Sequence, residues 1–143
     1  MKNLADFMTS DHKACDDLFA QAEKSVHTNQ WPQAEIAFNA FHSGMAHHFR
    51  MEETQLFPAL LEAGGPNGPV QMMLMEHQQM NGLLDNMSKA MVNKDAKGYS
   101  GLSETLLIVM QQHNLKEEQI LYPIAERFLS NDWPALHSRM QSA

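Results

Sequence analysis

The sequence is poor in the residues that build disulfide frameworks, secretory signals and membrane spans. Its 143 residues include one cysteine, Cys15, which excludes an intrachain disulfide framework and a cysteine-based zinc site. No apolar run approaches the roughly 18 residues that a membrane span needs. The first residues lack the apolar segment of a secretory signal. We therefore expect a cytoplasmic protein without a membrane segment.

Basic residues are also scarce. Lys and Arg total 10 against 17 Asp and Glu, which gives a formal net charge of −7 at pH 7. Nucleic acids and anionic membranes both select a basic surface, so the composition predicts neither as a partner. Two residue types are abundant instead, with 12 Met and 8 His in the chain.

Four long segments rich in helix-forming residues are separated by short groups of glycine, proline and polar residues. The breaks are predicted at residues 28–32, 64–69, 97–101 and 130–134. Short connections make consecutive helices antiparallel, so the sequence predicts an all-α, up-down-up-down four-helix bundle. We expect a single domain over residues 1–143, with a short C-terminal tail at 130–143.

Each predicted helix carries an apolar seam with alternating spacing of four and three residues. The seams are Met8, His12, Cys15, Phe19, Ala22 and Val26; Phe41, Met45, His48, Glu52, Leu56 and Ala59; Met73, His77, Met80, Leu84, Met87 and Met91; and Leu106, Met110, His113, Glu117, Leu121 and Ile124. Ionisable residues interrupt every seam. Farther along, Pro58 and Pro123 each remove a helical hydrogen bond, which predicts a kink in the second and fourth helices.

The interrupting residues recur 65 positions apart. The pairs are His12 with His77, His48 with His113, and Glu52 with Glu117. The match extends without a gap from residues 48–58 to residues 113–123, and Asp11 is matched by Glu76. We therefore interpret the chain as two repeated helical hairpins, at about residues 4–63 and 69–128.

The repeated histidines and glutamates predict a metal site inside the bundle. A glutamate in an apolar seam is costly unless something neutralises it, and residues four apart share one helix face. Four imidazoles and two carboxylates suit iron, manganese or zinc. Two matched halves fit two metals better than one, with each carboxylate free to bridge. The alternative is a pair of buried His–Glu ion pairs, which contribute little net stability.

The doubled motif resembles the hemerythrin-like (HHE cation-binding) family over about residues 4–128. The resemblance is carried by Asp11-His12 with His48-x-x-x-Glu52, by Glu76-His77 with His113-x-x-x-Glu117, and by the following Glu-Glu-x-x-Leu-Phe/Tyr-Pro. It implies a non-haem di-iron centre with an oxo or hydroxo bridge. The implied terminal ligands are His12, His48, His77 and His113, and the implied bridges are Glu52 and Glu117. Each iron would then keep one exchangeable position.

The chain also differs from the oxygen carriers of that family. Those carriers have a further histidine one turn before the position of His77, where this chain has Met73, and an aspartate where it has Glu118. Four histidines with two glutamates are instead similar to bacterial proteins implicated in repairing iron centres under nitrosative stress. Those proteins carry an additional cysteine-containing domain.

The leading hypothesis is a di-iron protein that binds or senses dioxygen or nitric oxide, or that handles iron. The alternatives are an enzyme acting on hydrogen peroxide or nitric oxide, an iron-centre repair protein, and a bundle held by a structural metal. The sequence singles out no catalytic residue and no protein partner.

Several other residues have open roles at this point. His42 and His47 are candidates for a further nitrogen ligand, whereas His27 and His137 are expected at the surface. Glu53 and Glu118 lie off the seam, and either surface exposure or hydrogen bonding to the ligands would explain them. Cys15 is expected to be a small core residue.

Overall fold

The computed structural model describes residues 3–143, and seven α-helices account for most of them. They are α1 (Leu4–His27), α2 (Trp31–Met51), α3 (Phe57–Glu62), α4 (Asn67–Val92), α5 (Ala96–Lys116), α6 (Tyr122–Leu129) and α7 (Trp133–Gln141). Two π-helical segments, Glu52–Leu56 and Glu117–Leu121, join α2 to α3 and α5 to α6. A 3-10 turn, Ser130–Asp132, precedes α7.

The helix ends follow local chemistry. The Asn3 side chain accepts a hydrogen bond from the Asp6 amide and so caps α1, and Asp95 caps α5 by accepting from the Gly98 amide. The break predicted at residues 97–101 is wrong, because those residues lie in the first turns of α5. The actual turn comes just before them and includes Lys94 with a positive φ of 51°.

These elements form the predicted all-α four-helix bundle. Its four long members are α1, α2 continued into α3, α4, and α5 continued into α6. Within each hairpin α1 packs on α2 and α4 on α5, and the hairpins meet through contacts of α1 with α5 and of α2 with α4. The seam on α1 and the seam on α4 are buried over their whole predicted length.

The other two seams shift by one residue at the π-helical segments. Ala59 and Ile124, predicted on the seams, are only partly buried, and their neighbours Leu60 and Ala125 are buried instead. A π turn closes an i→i+5 hydrogen bond and so contains one more residue than an α turn. The segments come just before Pro58 and Pro123, where the sequence predicts kinks.

The apolar core is divided into two clusters that lie on either side of one polar layer. One cluster includes Cys15, Phe41 and Met110, and the other includes Met8 and Leu56. The segment predicted as a C-terminal tail contains α7, whose Trp133, Leu136 and Met140 are buried in the second cluster. In residues 3–143 no helix is long and apolar enough to cross a membrane.

Candidate metal centre

The polar layer contains the six residues that the sequence singles out. His12, His48, Glu52, His77, His113 and Glu117 are all buried, with His12 the most exposed at 5%. They come from all four bundle helices and form two overlapping groups that could each hold a metal ion. One group contains His12, His48 and Glu117, and the other contains Glu52, His77, His113 and Glu117.

We call the donor atoms around His12 and His48 the first position. The two Nε2 atoms are 3.1 Å apart, and Nε2 of His12 is 3.0 Å from Oε1 of Glu117. Nε2 of His48 is 3.5 Å from Oε2 of Glu52. Two nitrogens and two carboxylate oxygens therefore converge at this position.

The donor atoms around His77 and His113 form the second position. Nε2 of His77 is 3.0 Å from Oε1 of Glu52, and Nε2 of His113 is 3.3 Å from Oε1 of Glu117. Glu52 thus turns one oxygen to each position, and Glu117 contacts histidines of both.

Unpaired buried atoms support a metal at the second position. Oε1 of Glu52, Nε2 of His77, Nε2 of His113 and Oε2 of Glu117 are buried without a hydrogen-bond partner within residues 3–143. Each such atom costs roughly 1–3 kcal/mol, yet all four belong to one site. His77 and Glu52 approach to 3.0 Å without the alignment of a hydrogen bond. Lone pairs that converge in this way fit a shared cation.

The Nδ1 atom of each of the four histidines hydrogen-bonds to a carboxylate on a different bundle helix. Nδ1–H of His48 donates to Asp11 over 2.7 Å, and Nδ1–H of His113 donates to Glu76 over 2.8 Å. The corresponding distances are 2.7 Å from His77 to Glu53 and 2.6 Å from His12 to Glu118. The four pairs form a closed ring around the bundle, because a carboxylate on each of the four helices hydrogen-bonds to the histidine of the neighbouring helix.

This ring fixes the orientation of the imidazoles. A carboxylate at Nδ1 holds the proton there and leaves the lone pair of Nε2 for a metal, an arrangement typical of metal-ligating histidines. Glu53 and Glu118, whose role was open, thus both hydrogen-bond to histidines, and Glu53 is exposed as well. Asp11 and Glu76 support histidines in the same way, a role that their repetition at the same offset of 65 residues could have indicated.

Charged groups within the polar layer shift one another's pKa values. Burial opposes the charged form of His48, but Glu52, Asp11 and Glu117 outweigh it and raise the pKa of this imidazole well above its usual value. The pKa of His113 is raised in the same way, against burial, chiefly by Glu117. Burial opposes the charged form of Glu117 too, yet Glu52 and the surrounding histidines hold the pKa of that carboxyl well below its usual value.

Tyr122 is a further member of the layer that the sequence analysis missed. It is fully buried, and its hydroxyl donates to Oε2 of Glu52 over 2.7 Å and to Oε1 of Glu117 over 3.0 Å. Burial, followed by the charges of Glu117 and Glu52, raises the pKa of this phenol well above its usual value. In a regular α-helix Tyr122 would lie about 140° around the axis from Glu117. The second π segment, in which the Tyr122 amide donates to the Glu117 carbonyl, turns it toward the donors.

The remaining sequence candidates lie elsewhere. His42 and His47 are partly buried and belong to neither group that could hold a metal. His27 is exposed, whereas His137 is partly buried and stacks on Trp133 at 4.8 Å, so its predicted surface position is only partly correct. Cys15 is 5% exposed in the apolar core, and burial raises the pKa of its thiol to about 11.

The donor set fits a pair of metal ions. It offers four imidazole nitrogens and two carboxylates with no thiolate, which suits iron, manganese or zinc. The two carboxylates lie between the two histidine pairs, and apolar clusters cover the layer on both sides.

Comparison with known proteins agrees with this chemistry. The family model described as the hemerythrin HHE cation-binding domain matches residues 3–125. Comparisons with curated proteins and with solved structures give no match. The matched region contains all six inward histidines and glutamates, and it covers most of the chain. The chain therefore belongs to the hemerythrin HHE cation-binding domain family.

Proposed function

We propose that this chain is a non-haem di-iron protein that binds or senses an uncharged diatomic molecule, dioxygen or nitric oxide. The observation that carries the proposal is the division of the histidines into two pairs, each of which is contacted by both Glu52 and Glu117. Two irons bound in this way would have four protein ligands each before Tyr122 is considered. The irons would supply redox chemistry and ligand binding, while the chain holds the geometry and excludes water.

The surroundings of the second position favour an uncharged ligand. The Phe49 ring stacks on His77 at 4.0 Å between ring centroids, and the Phe57 ring stacks on the same imidazole at 6.0 Å. A small apolar molecule enters such surroundings without the desolvation cost that a charged one incurs.

A surface pocket is lined in part by residues that lie close to the donor residues along the chain. It has a volume of about 390 Å³, and buried Met73 and Leu121 contribute to its lining. Met73 lies one helical turn before His77, and Leu121 lies four residues after Glu117. The pocket therefore brings solvent within about one turn of the ligand layer.

The test is the optical response of the iron-loaded, anaerobically reduced protein to measured pulses of gas. We expect a spectral change with nitric oxide that saturates at a stoichiometric amount. With dioxygen we expect oxidation that argon purging does not reverse, because Met73 withholds the additional histidine of the oxygen carriers. Bands that disappear on purging and return on re-exposure would instead identify a carrier.

The same experiment separates the binder from its alternatives. Repeated consumption of nitric oxide or hydrogen peroxide without loss of protein would identify an enzyme. The absence of any response to dioxygen, nitric oxide and peroxide would leave a structural metal as the explanation and would contradict the proposal.

A further inference from the structure

One aromatic pair breaks the symmetry between the two metal positions. Tyr122 and Phe57 are equivalent in the repeat, 65 residues apart, and both are buried. The Tyr122 ring lies 5.7 Å from the His12 ring at an angle of 29°, and the Phe57 ring lies 6.0 Å from the His77 ring at 23°. The rings are placed alike, so the difference between the halves at this point is one oxygen atom.

That oxygen is close to every donor of the first position. Oη of Tyr122 is 2.7 Å from Oε2 of Glu52 and 3.0 Å from Oε1 of Glu117. It is also 3.2 Å from Nε2 of His12 and 3.3 Å from Nε2 of His48.

These distances match those between ligands of a single ion. When metal–ligand bonds are about 2.1 Å long, neighbouring ligands of an octahedral ion lie about 3 Å apart. The donor atoms of the first position are separated by 3.0 to 3.8 Å, and Oη lies 2.7 to 3.3 Å from each of the four. A hydrogen bond to a carboxylate needs only one or two such contacts, whereas Oη makes four.

We propose that Tyr122 is a fifth protein ligand to the first metal position through its phenolate oxygen, which leaves the second position as the place where a small ligand binds. This inference rests on the proposed di-iron function. Bond formation releases the O–H proton to solvent and joins Oη to an iron(III) ion without any change in oxidation state. At the second position the Phe57 ring has no donor atom to offer, so the corresponding coordination place stays exchangeable.

The two phenylalanine rings make that exchangeable place apolar. Phe49, which stacks on His77, is matched in the repeat by Asn114, a partly buried polar residue. The second position thus combines the open coordination place with two stacked phenylalanine rings, whereas the first position has the phenol of Tyr122. This is the arrangement expected when one metal is structural and the other accepts an uncharged ligand.

The test uses visible absorption and resonance Raman spectroscopy of the full chain loaded with iron(II) and oxidised in air. A phenolate bound to iron(III) gives a visible charge-transfer band and enhanced tyrosine ring vibrations. The chain has two tyrosines, so assignment needs two variants. We expect Tyr122→Phe to lose the band and the ring vibrations while retaining both irons, and Tyr99→Phe to retain the signals. Tyr99 is buried in the other apolar cluster and serves as the matched control.

Nitric oxide binding to the reduced protein gives a second readout. We expect one nitric oxide per chain at saturation for the wild type and two for Tyr122→Phe, in which both positions are open. Because Tyr122→Phe only repeats the residue found at Phe57, it should keep the fold, which circular dichroism checks.

Two failures are distinguishable. A wild-type protein that binds two irons but shows no tyrosine vibrations would overturn the role of Tyr122 and leave the di-iron function intact. A protein that binds fewer than two irons would overturn both. Equal nitric oxide stoichiometry in the wild type and Tyr122→Phe would contradict the assignment of the open position.

Discussion

The two metal positions have the same donors and different neighbours. Each has two histidines, shares the same two carboxylates and receives two supporting carboxylates, all repeated at an offset of 65 residues. Around them, Tyr122 in one half is matched in the repeat by Phe57 in the other, and Asn114 is matched by Phe49. The duplication therefore preserves the groups that could hold metal, and the difference between the halves is the basis of our proposal that only one position binds a small ligand.

The largest expected effect comes from removing a carboxylate that contacts both metal positions. Glu52→Ala or Glu117→Ala should each lose both metals, because each carboxylate contacts histidines of both positions. His47→Ala, on the same helix as Glu52 but outside the donor groups, is the control and should keep both. Metal analysis after gel filtration provides the measurement. Loss of one metal only would mean that the carboxylate does not bridge.

Metal removal should have the next largest effect. A metal that binds the folded state and is present at about 1,000 times its Kd adds about 4 kcal/mol to the free energy of unfolding. Its removal should therefore lower the melting temperature by on the order of 10 °C. Thermal unfolding followed by circular dichroism at matched pH checks this. Equal melting temperatures for the two forms would contradict burial of the donors around metal.

The stability of the metal-free form should depend on pH because of these pKa shifts. His48 and His113 have raised pKa values in the folded chain, so their stabilisation is fully present below the usual 6.5 and is lost as the pH rises through the raised values. Glu117 has a lowered pKa, so its stabilisation is present above the usual 4.5 and is lost as the pH falls.

The metal-free protein should therefore melt at a lower temperature at about pH 9 than at about pH 6. The loaded protein should show the smaller change, because metals bind the neutral imidazoles. A metal-free melting temperature that rises over this interval would contradict the assignment.

The supporting carboxylates allow the two halves to be weakened one at a time. Glu118→Ala removes the partner of His12 and should weaken the first position, and Glu53→Ala removes the partner of His77 and should weaken the second. The expected loss is about 10- to 100-fold in affinity for one metal. Chelator competition measures it, with exposed Glu104→Ala as the control. Equal weakening of both metals by either variant would mean that the positions do not act separately.

The smallest change adds one oxygen to the second half. Phe57→Tyr should give both positions a phenol, retain two irons and add a second set of tyrosine signals while abolishing nitric oxide binding. Its free energy of unfolding should change by no more than about 1–2 kcal/mol, since a ring of similar size is retained. Resonance Raman spectroscopy and nitric oxide titration test the result. Undiminished nitric oxide binding would place the open site elsewhere.

The apolar periodicity and the 65-residue repeat were sufficient to predict the bundle and to place six residues in one layer. Both signals depend on regular helix geometry, and they fail where that geometry changes. The π turns that begin at Glu52 and Glu117 shift the seams from Ala59 to Leu60 and from Ile124 to Ala125, and the second turn also brings Tyr122 to the donors. A proline two residues after each π segment was visible in the sequence, but it predicted a kink and gave no sign of an added residue.

The carboxylates that hydrogen-bond to the histidines show a second limit of prediction from the sequence. Asp11 and Glu76 repeat with the histidines, yet each supports a histidine on the following helix, not its own neighbour. Spacing along one helix shows which residues share a face, whereas contacts between helices depend on the axial register of the packed bundle.

Mössbauer spectroscopy of protein loaded with isotopically enriched iron tests the central claim most directly, because it reports both the number of iron environments and their similarity. With the iron content measured on the same sample, we predict two irons per chain and two distinct signals of equal area. One signal from two irons would contradict the difference between the halves. One iron per chain, or none, would contradict the dinuclear centre itself.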